Sequence, residues 1–299
     1  MKAKKWFVVV FLLIGTVVFA QTEADFTVTL TRDSAGVVIT RYNGRTAAVR
    51  IPTTIQGMPV REIGDKAFIG KAAMGNYEPP GWSAIDITSV IIPDGVTTIG
   101  ETAFGSQRQI TSIVIPGTVT NIGRQAFYDC RGLTSITLPD SVTSIGNSAF
   151  EGCTHMESIA IPDSVTEIGD RAFAFTALKS INWPSSVTKI QAKDTYGQMG
   201  IFSMCVNLQT IVIPEGVTEI GDYSFSGCRA LTSVTFPSTI VKIGANAFRG
   251  CSALTTVVIP DSVENIQFDT WDGGSFSGCS NLTLASQAAL KKRGYTGRF

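Results

Sequence analysis

Apolar and polar positions along this chain follow a phrase that returns about every 23 residues. One clean copy runs Ser135-Ile-Thr-Leu-Pro-Asp-Ser-Val-Thr-Ser-Ile-Gly-Asn-Ser-Ala-Phe-Glu-Gly-Cys153. Its first part, around Leu133 to Leu138, alternates and is rich in β-branched residues, which predicts a short strand with Ile136 and Leu138 inward and Ser135 and Thr137 outward. Proline then ends the strand, because it has no amide hydrogen for a ladder. It recurs at 52, 93, 116, 139, 162, 184, 214, 237 and 260, nine of the chain's twelve prolines. Val142 and Ile145 lead to a glycine column at 64, 100, 123, 146, 169, 221 and 244, which reads as a backbone corner favouring a residue without Cβ. Ala149, Phe150 and Cys153 are spaced for a single helical or 3-10 turn on the opposite side of the coil. The phenylalanine column runs through 68, 104, 127, 150, 173, 202, 225, 248 and 276.

A fixed period of this length marks a solenoid, in which no copy buries its apolar face alone. Successive strands must then be parallel and about 4.8 Å apart. The predicted organisation is a leader over 1–20, an N-terminal β cap over 21–51, a solenoid of about nine repeats over 52–283 and a helical cap over 284–299. In the N-terminal cap, Asn43-Gly44 between two strand-like runs predicts a hairpin turn. At the other end, Ser286 is expected to cap a helix from Gln287 to Arg293, with Gly294 as its stop.

The frame Ser-Ile-x-Leu/Ile-Pro-Asp-x-Val-x-x-Ile-Gly-x-x-Ala-Phe-x-x-Cys resembles the BspA-like class of leucine-rich repeats, over residues 47 to 283. The resemblance implies a right-handed leucine-rich-repeat solenoid with its parallel sheet on the concave face and short turns opposite. It also implies an exported or surface protein that adheres to proteins of a host or neighbouring cell.

The apolar share of 44% is ample for a continuous core. Met1 to Lys5 is basic, Trp6 to Phe19 is apolar, and Val18-Phe19-Ala20 offers a cleavage site, so the start reads as a signal peptide cut after Ala20. Beyond it no stretch approaches the roughly 20 apolar residues of a membrane span. The chain's 24 basic side chains balance 24 acidic ones, and losing Lys2, Lys4 and Lys5 with the leader leaves an acidic excess of three. Nucleic acid is therefore not an expected partner, since it needs a basic stripe.

Several constellations bear on chemistry. Cys130, Cys153, Cys205, Cys228, Cys251 and Cys279 occupy one column, shared with Gln107 and Thr176. An even count in an exported chain invites disulfides, yet stacked positions with parallel side chains suit a ladder of buried free thiols better. His155 is the only histidine and falls in a variable, exposed position, leaving histidine-based catalysis or zinc little to work with. Acidic residues follow the column proline at Asp94, Asp140, Asp163, Glu215 and Asp261, but Gly117, Ser185 and Ser238 interrupt a calcium ladder there, and aspartate after proline is ordinary turn chemistry. No catalytic residue, metal site or cofactor is assigned.

The outward strand column reads Ile91, Val114, Thr137, Ala160, Asn182, Val212, Thr235 and Val258, beside a row of serine and threonine. Such an uncharged stripe is a candidate partner-binding surface, although β-branched residues also simply favour strands. Inserted segments leave the phrase from Gly70 to Ala84, Ile190 to Phe202 and Ile266 to Phe276; the last two carry Tyr196 and Trp271, which join the candidates, and replace the column glycine by Gln191 and Gln267. The expected function is non-enzymatic recognition or adhesion, with an extracellular or surface protein as partner and a glycan or matrix component as the other option. The chain is expected to be secreted, on the cell surface or periplasmic, and monomeric. The alternative is a self-associating structural protein of the cell envelope. A glycan-acting enzyme would need a cluster of carboxylates and bases that the sequence does not show, and ice binding would need an array that the apolar residues and Asn182 break.

Overall fold

The computed structural model describes residues 21–73, 85–188, 199–269 and 273–299. The chain coils into a β-solenoid of about nine turns with parallel sheets. The predicted strands form a major ladder: Ala48–Arg50, Ser89–Ile91 and Ser112–Val114 pair in parallel and in register, as do Ser135–Thr137 with Ser158–Ala160, and Thr210–Val212 with Ser233–Thr235 and Thr256–Val257. Their central residues are buried and their flanking residues face solvent, as the alternation requires.

A second parallel ladder accompanies it, built from two-residue strands that the alternation did not reveal. Ile63, Ile99, Ile122, Ile145 and Ile168 lie on successive rungs, and Ile220, Ile243 and Ile266 continue the pattern beyond the segment 189–198. All eight isoleucines are buried.

The glycine column between this ladder and the phenylalanine serves close approach rather than unusual dihedral angles. A Cβ on Gly146 would lie 2.6 Å from the Arg124 nitrogen and 2.7 Å from the Gly123 carbonyl carbon, and one on Gly123 would lie 2.8 Å from Gly100. The left-handed residues instead come two positions later, at Lys66, Thr102, Gln125, Ser148, Arg171, Tyr223 and Asn246, and again two after the phenylalanine, at Ser106, Asp129, Gly152, Phe175, Met204, Gly227, Gly250 and Gly278. The expected short turns on this side are single three-residue closures, such as Ala149 N–H to the Gly146 carbonyl and Cys153 N–H to the Phe150 carbonyl, both 3.2 Å. The alternation also aims successive N–H groups at the next rung: Gln125 donates to Asn147, Phe127 to Ala149 and Asp129 to Glu151, each at 2.8 Å. The strained φ values are thus balanced by hydrogen bonds on a side of the coil that has no strand.

Inside, the nine phenylalanines stack as one spine from Phe68 to Phe276, with ring centroids 5.0 to 5.7 Å apart and planes within 18°. Each offset pair adds about 1 kcal/mol to the burial of its rings. Tyr42 extends the stack at one end at 5.3 Å, and Tyr295 closes the other edge-on.

The ends depart from expectation. Phe26–Leu30 and Val37–Tyr42 form the N-terminal antiparallel hairpin, turning at 31–36 rather than at Asn43-Gly44. Neither Asn43 nor Gly44 takes the positive φ that such a turn needs. The chain there passes beneath the Tyr42 ring, where a Cβ on Gly44 would come within 2.4 Å of its hydroxyl, and crosses from one ladder to the other. The two-residue turn occurs at Gln56-Gly57, φ 54° and 75°, between Thr54–Ile55 and Met58–Ile63. At the C-terminus the helix is Leu284–Lys292, capped by Thr283, whose Oγ1 accepts the Ser286 N–H. The Ser286 hydroxyl serves the major ladder instead, its Oγ accepting the buried Val257 N–H at 3.0 Å. Gly294 takes φ 87° after the last turn, as its predicted role as stop requires.

Candidate recognition surface

The major ladder fixes the candidate column. Strict register places Ile91 beside Val114, Thr137 beside Ala160, Ala160 beside Asn182, and Val212 beside Thr235, with Val258 closing the row. All eight are exposed, and the apolar members are strongly so: Ile91 40%, Val114 51%, Val212 63% and Val258 73%. Strand propensity explains β-branched residues on a ladder but gives no reason for Val258, just past the terminal strand, to be the most exposed of them.

The structure adds a residue to this column. Arg50 pairs with Ile91 in register, so a guanidinium stands at its head on the first rung. The signal was present, since Arg50 precedes Pro52 by the same two positions that separate Ile91 from Pro93 and Val114 from Pro116. It was hidden because the first copy lacks the serine that marks the later strands. Tyr196 and Trp271 lie outside the described residues. The base of Trp271's segment is a short antiparallel ribbon, Phe268–Asp269 with Gly273–Gly274.

Arg50 and its neighbours form an open groove of about 880 Å³, with Ile91 and Val114 as floor, Pro52, Pro93 and Pro116 as wall, and Asp94 and Gln21 at the rim. Gln21 closes the free edge of Ala48–Arg50 as a strand would. Its Nε2 donates to the Ala48 carbonyl at 2.7 Å and its Oε1 accepts the Arg50 N–H. Such closure protects an edge from pairing with foreign strands. Ser286 does the same for Val257 on the far edge.

The ion pairs lie off the column. Asp129 is held by Arg108 at 2.8 Å and Arg131 at 2.6 Å, and Glu151 by Arg171 at 2.7 Å, all on the turn side, while Glu219 meets Lys242 at 2.5 Å on the second ladder. His155 is exposed, its Nδ1 2.7 Å from the Arg131 carbonyl oxygen. Among the described residues no three His, Cys, Asp or Glu side chains converge as a metal site, and no helix is long and apolar enough to cross a membrane.

All six cysteines are free and buried. Each thiol donates to the carbonyl of the preceding rung's phenylalanine, from Cys130 on Phe104 at 3.2 Å to Cys279 on Phe248 at 3.1 Å. In the same column Gln107 donates to Phe68 of the preceding rung and Thr176 to Phe173 of its own rung, both at 2.8 Å. Spacing alone marks this as a packing position; the property its occupants share is a hydrogen-bond donor. Burial pushes the thiol of Cys205 up to about 11 and that of Cys153 to about 12, so these sulfurs stay protonated and make poor nucleophiles.

A family model described as BspA type leucine rich repeat region, with six copies, matches residues 82–197 and 195–289. Among solved structures, the leucine rich repeat protein of T. pallidum is 26% identical, with 93% of this chain and 98% of that one aligned at a TM-score of 0.57. The pneumococcal vaccine antigen PcpA is 20% identical over 80% of this chain and 75% of its own, at 0.46, and a leucine rich cell surface protein of Faecalibacterium prausnitzii is 20% identical over 90% and 97%, at 0.38. No curated protein matches the chain. With its stacked register and its matched repeats, the chain belongs to the BspA-type leucine-rich-repeat family.

Proposed function

We propose that this protein is a non-enzymatic, exported recognition module that binds a protein of a host or neighbouring cell across the outward face of the major ladder. The observation that carries the reading is the column itself, where Ile91, Val114, Val212 and Val258 stand exposed with no charged side chain between Arg50 and the last rung. An uncharged stripe of that length, with exposed apolar side chains at both ends, is what an interface core on a rigid scaffold needs. Family membership supports the reading, since leucine-rich repeats generally act as protein-interaction scaffolds. Export rests on the basic and apolar pattern of residues 1–20.

Pull-down from matrix and partner-cell extracts tests it. The wild-type protein retains a partner, and the double substitution Val114→Lys with Val212→Lys abolishes retention while leaving the urea midpoint unchanged, because both side chains already face solvent. Retention that survives both lysines would place the interface elsewhere. Sedimentation at micromolar concentration gives a monomer; a concentration-dependent assembly would favour a structural envelope protein.

A further inference from the structure

The groove at the first rungs differs from the rest of the column in carrying charge. Arg50 and Asp94 both line it, and neither side chain has a hydrogen bond or ion pair among the described residues. The backbone edge beside them is already closed by Gln21, so strand addition at Ala48–Arg50 is blocked and an occupant must lie on the face.

The rung spacing limits what fits. Neighbouring strands are about 4.8 Å apart, so Arg50, Ile91 and Val114 are spread over roughly 10 Å across the ladder. An extended polypeptide crossing the rungs directs every second side chain downward, about 6.8 Å apart. A carboxylate set over the guanidinium of Arg50 therefore brings the next downward side chain between Ile91 and Val114, against apolar floor. Asp94, on the rung of Ile91, opposes an acidic side chain set over that rung, so the carboxylate belongs over Arg50.

From this geometry we propose that the groove is the anchor site of the recognition face and takes an extended polypeptide bearing an acidic residue with an apolar residue two positions along. The proposal rests on the reading of the ladder face as a binding surface and specifies its partner's chemistry.

Fluorescence polarisation with a labelled synthetic peptide, acetyl-Asp-Thr-Leu-Thr-Leu-Thr-amide, tests it. The folded protein binds this probe, and its counterpart with Asn in place of Asp binds about tenfold more weakly, the loss of one charge-assisted pair. Arg50→Gln binds both peptides at the weaker level, and Arg50→Lys recovers part of the difference. Higher ionic strength weakens the Asp peptide and leaves the Asn peptide almost unaffected. Arg50→Gln keeps the backbone N–H that Gln21 accepts, so folding is not at issue. Absence of binding by the wild-type protein, or equal affinity for the two peptides, overturns the proposal. Should the peptides fail while Val114→Lys with Val212→Lys still abolishes partner capture, the anchor chemistry falls and the recognition face stands; capture that survives the double substitution removes the face itself.

Discussion

Gly146 shows what stacking demands of one position. Its φ is unremarkable, yet a methyl group there would meet two backbone atoms of the rung below at 2.6 and 2.7 Å, neither of which can swing aside. Gly117, which follows a column proline, has nothing within 4 Å of the same added atom. Gly146→Ala should therefore lower stability by about 3 kcal/mol through overpacking. Gly117→Ala should be neutral or stabilising by about 0.5 kcal/mol, because it only restricts the unfolded chain. Urea denaturation of the two variants checks the contrast, and equal effects would refute the close-approach account. The glycine column was legible in the sequence, but its cause was not: periodicity marks where a side chain is missing without saying what occupies the space. The left-handed positions were less legible still, since Lys66, Thr102, Gln125 and Ser148 share no residue type. What they share is a hydrogen bond to the next rung, which only the stacked coil supplies.

The elements of this fold are columns more than segments. Alternation revealed the major ladder because three-residue strands with a buried centre carry a period of two, whereas two-residue strands such as Ser144–Ile145 are too short to show one. The cysteine column is an element in this sense, and its protonation carries a stability signature. Burial raises the thiols of Cys130, Cys153, Cys205, Cys228 and Cys251 above the usual 9.0, to about 12 for Cys153. Below pH 9 both folded and unfolded chains keep these protons, and stability is insensitive to them. Above pH 9 the unfolded chain releases protons that the folded chain retains, so stability falls as pH rises toward the folded values. Urea midpoints should hold steady from pH 7 to 8 and decline beyond about 9. Cys153→Thr with Cys228→Thr should make that decline shallower, since threonine keeps a donor, as Thr176 does, without a titrating thiol. A slope identical to that of the parent would rule the thiols out as its source.

For the whole molecule, the order of the stack matters more than any one contact. The spine from Phe68 to Phe276 forces every rung into the same register, and register turns a sequence column into a surface. That is why eight candidate residues could be chosen from spacing alone and are found in one exposed row. Arg50 escaped because its copy keeps the proline and loses the flanking serine, and the edge closures by Gln21 and Ser286 escaped because capping depends on what lies beside a strand, not on its own sequence. The central claim is that partners meet the outward face of the major ladder. Carbene footprinting of the protein alone and with its captured partner tests that claim most directly. The account predicts reduced labelling at Ile91, Val114, Val212 and Val258 with no change at His155 on the turn side; protection at His155 with the ladder column still fully labelled would contradict it.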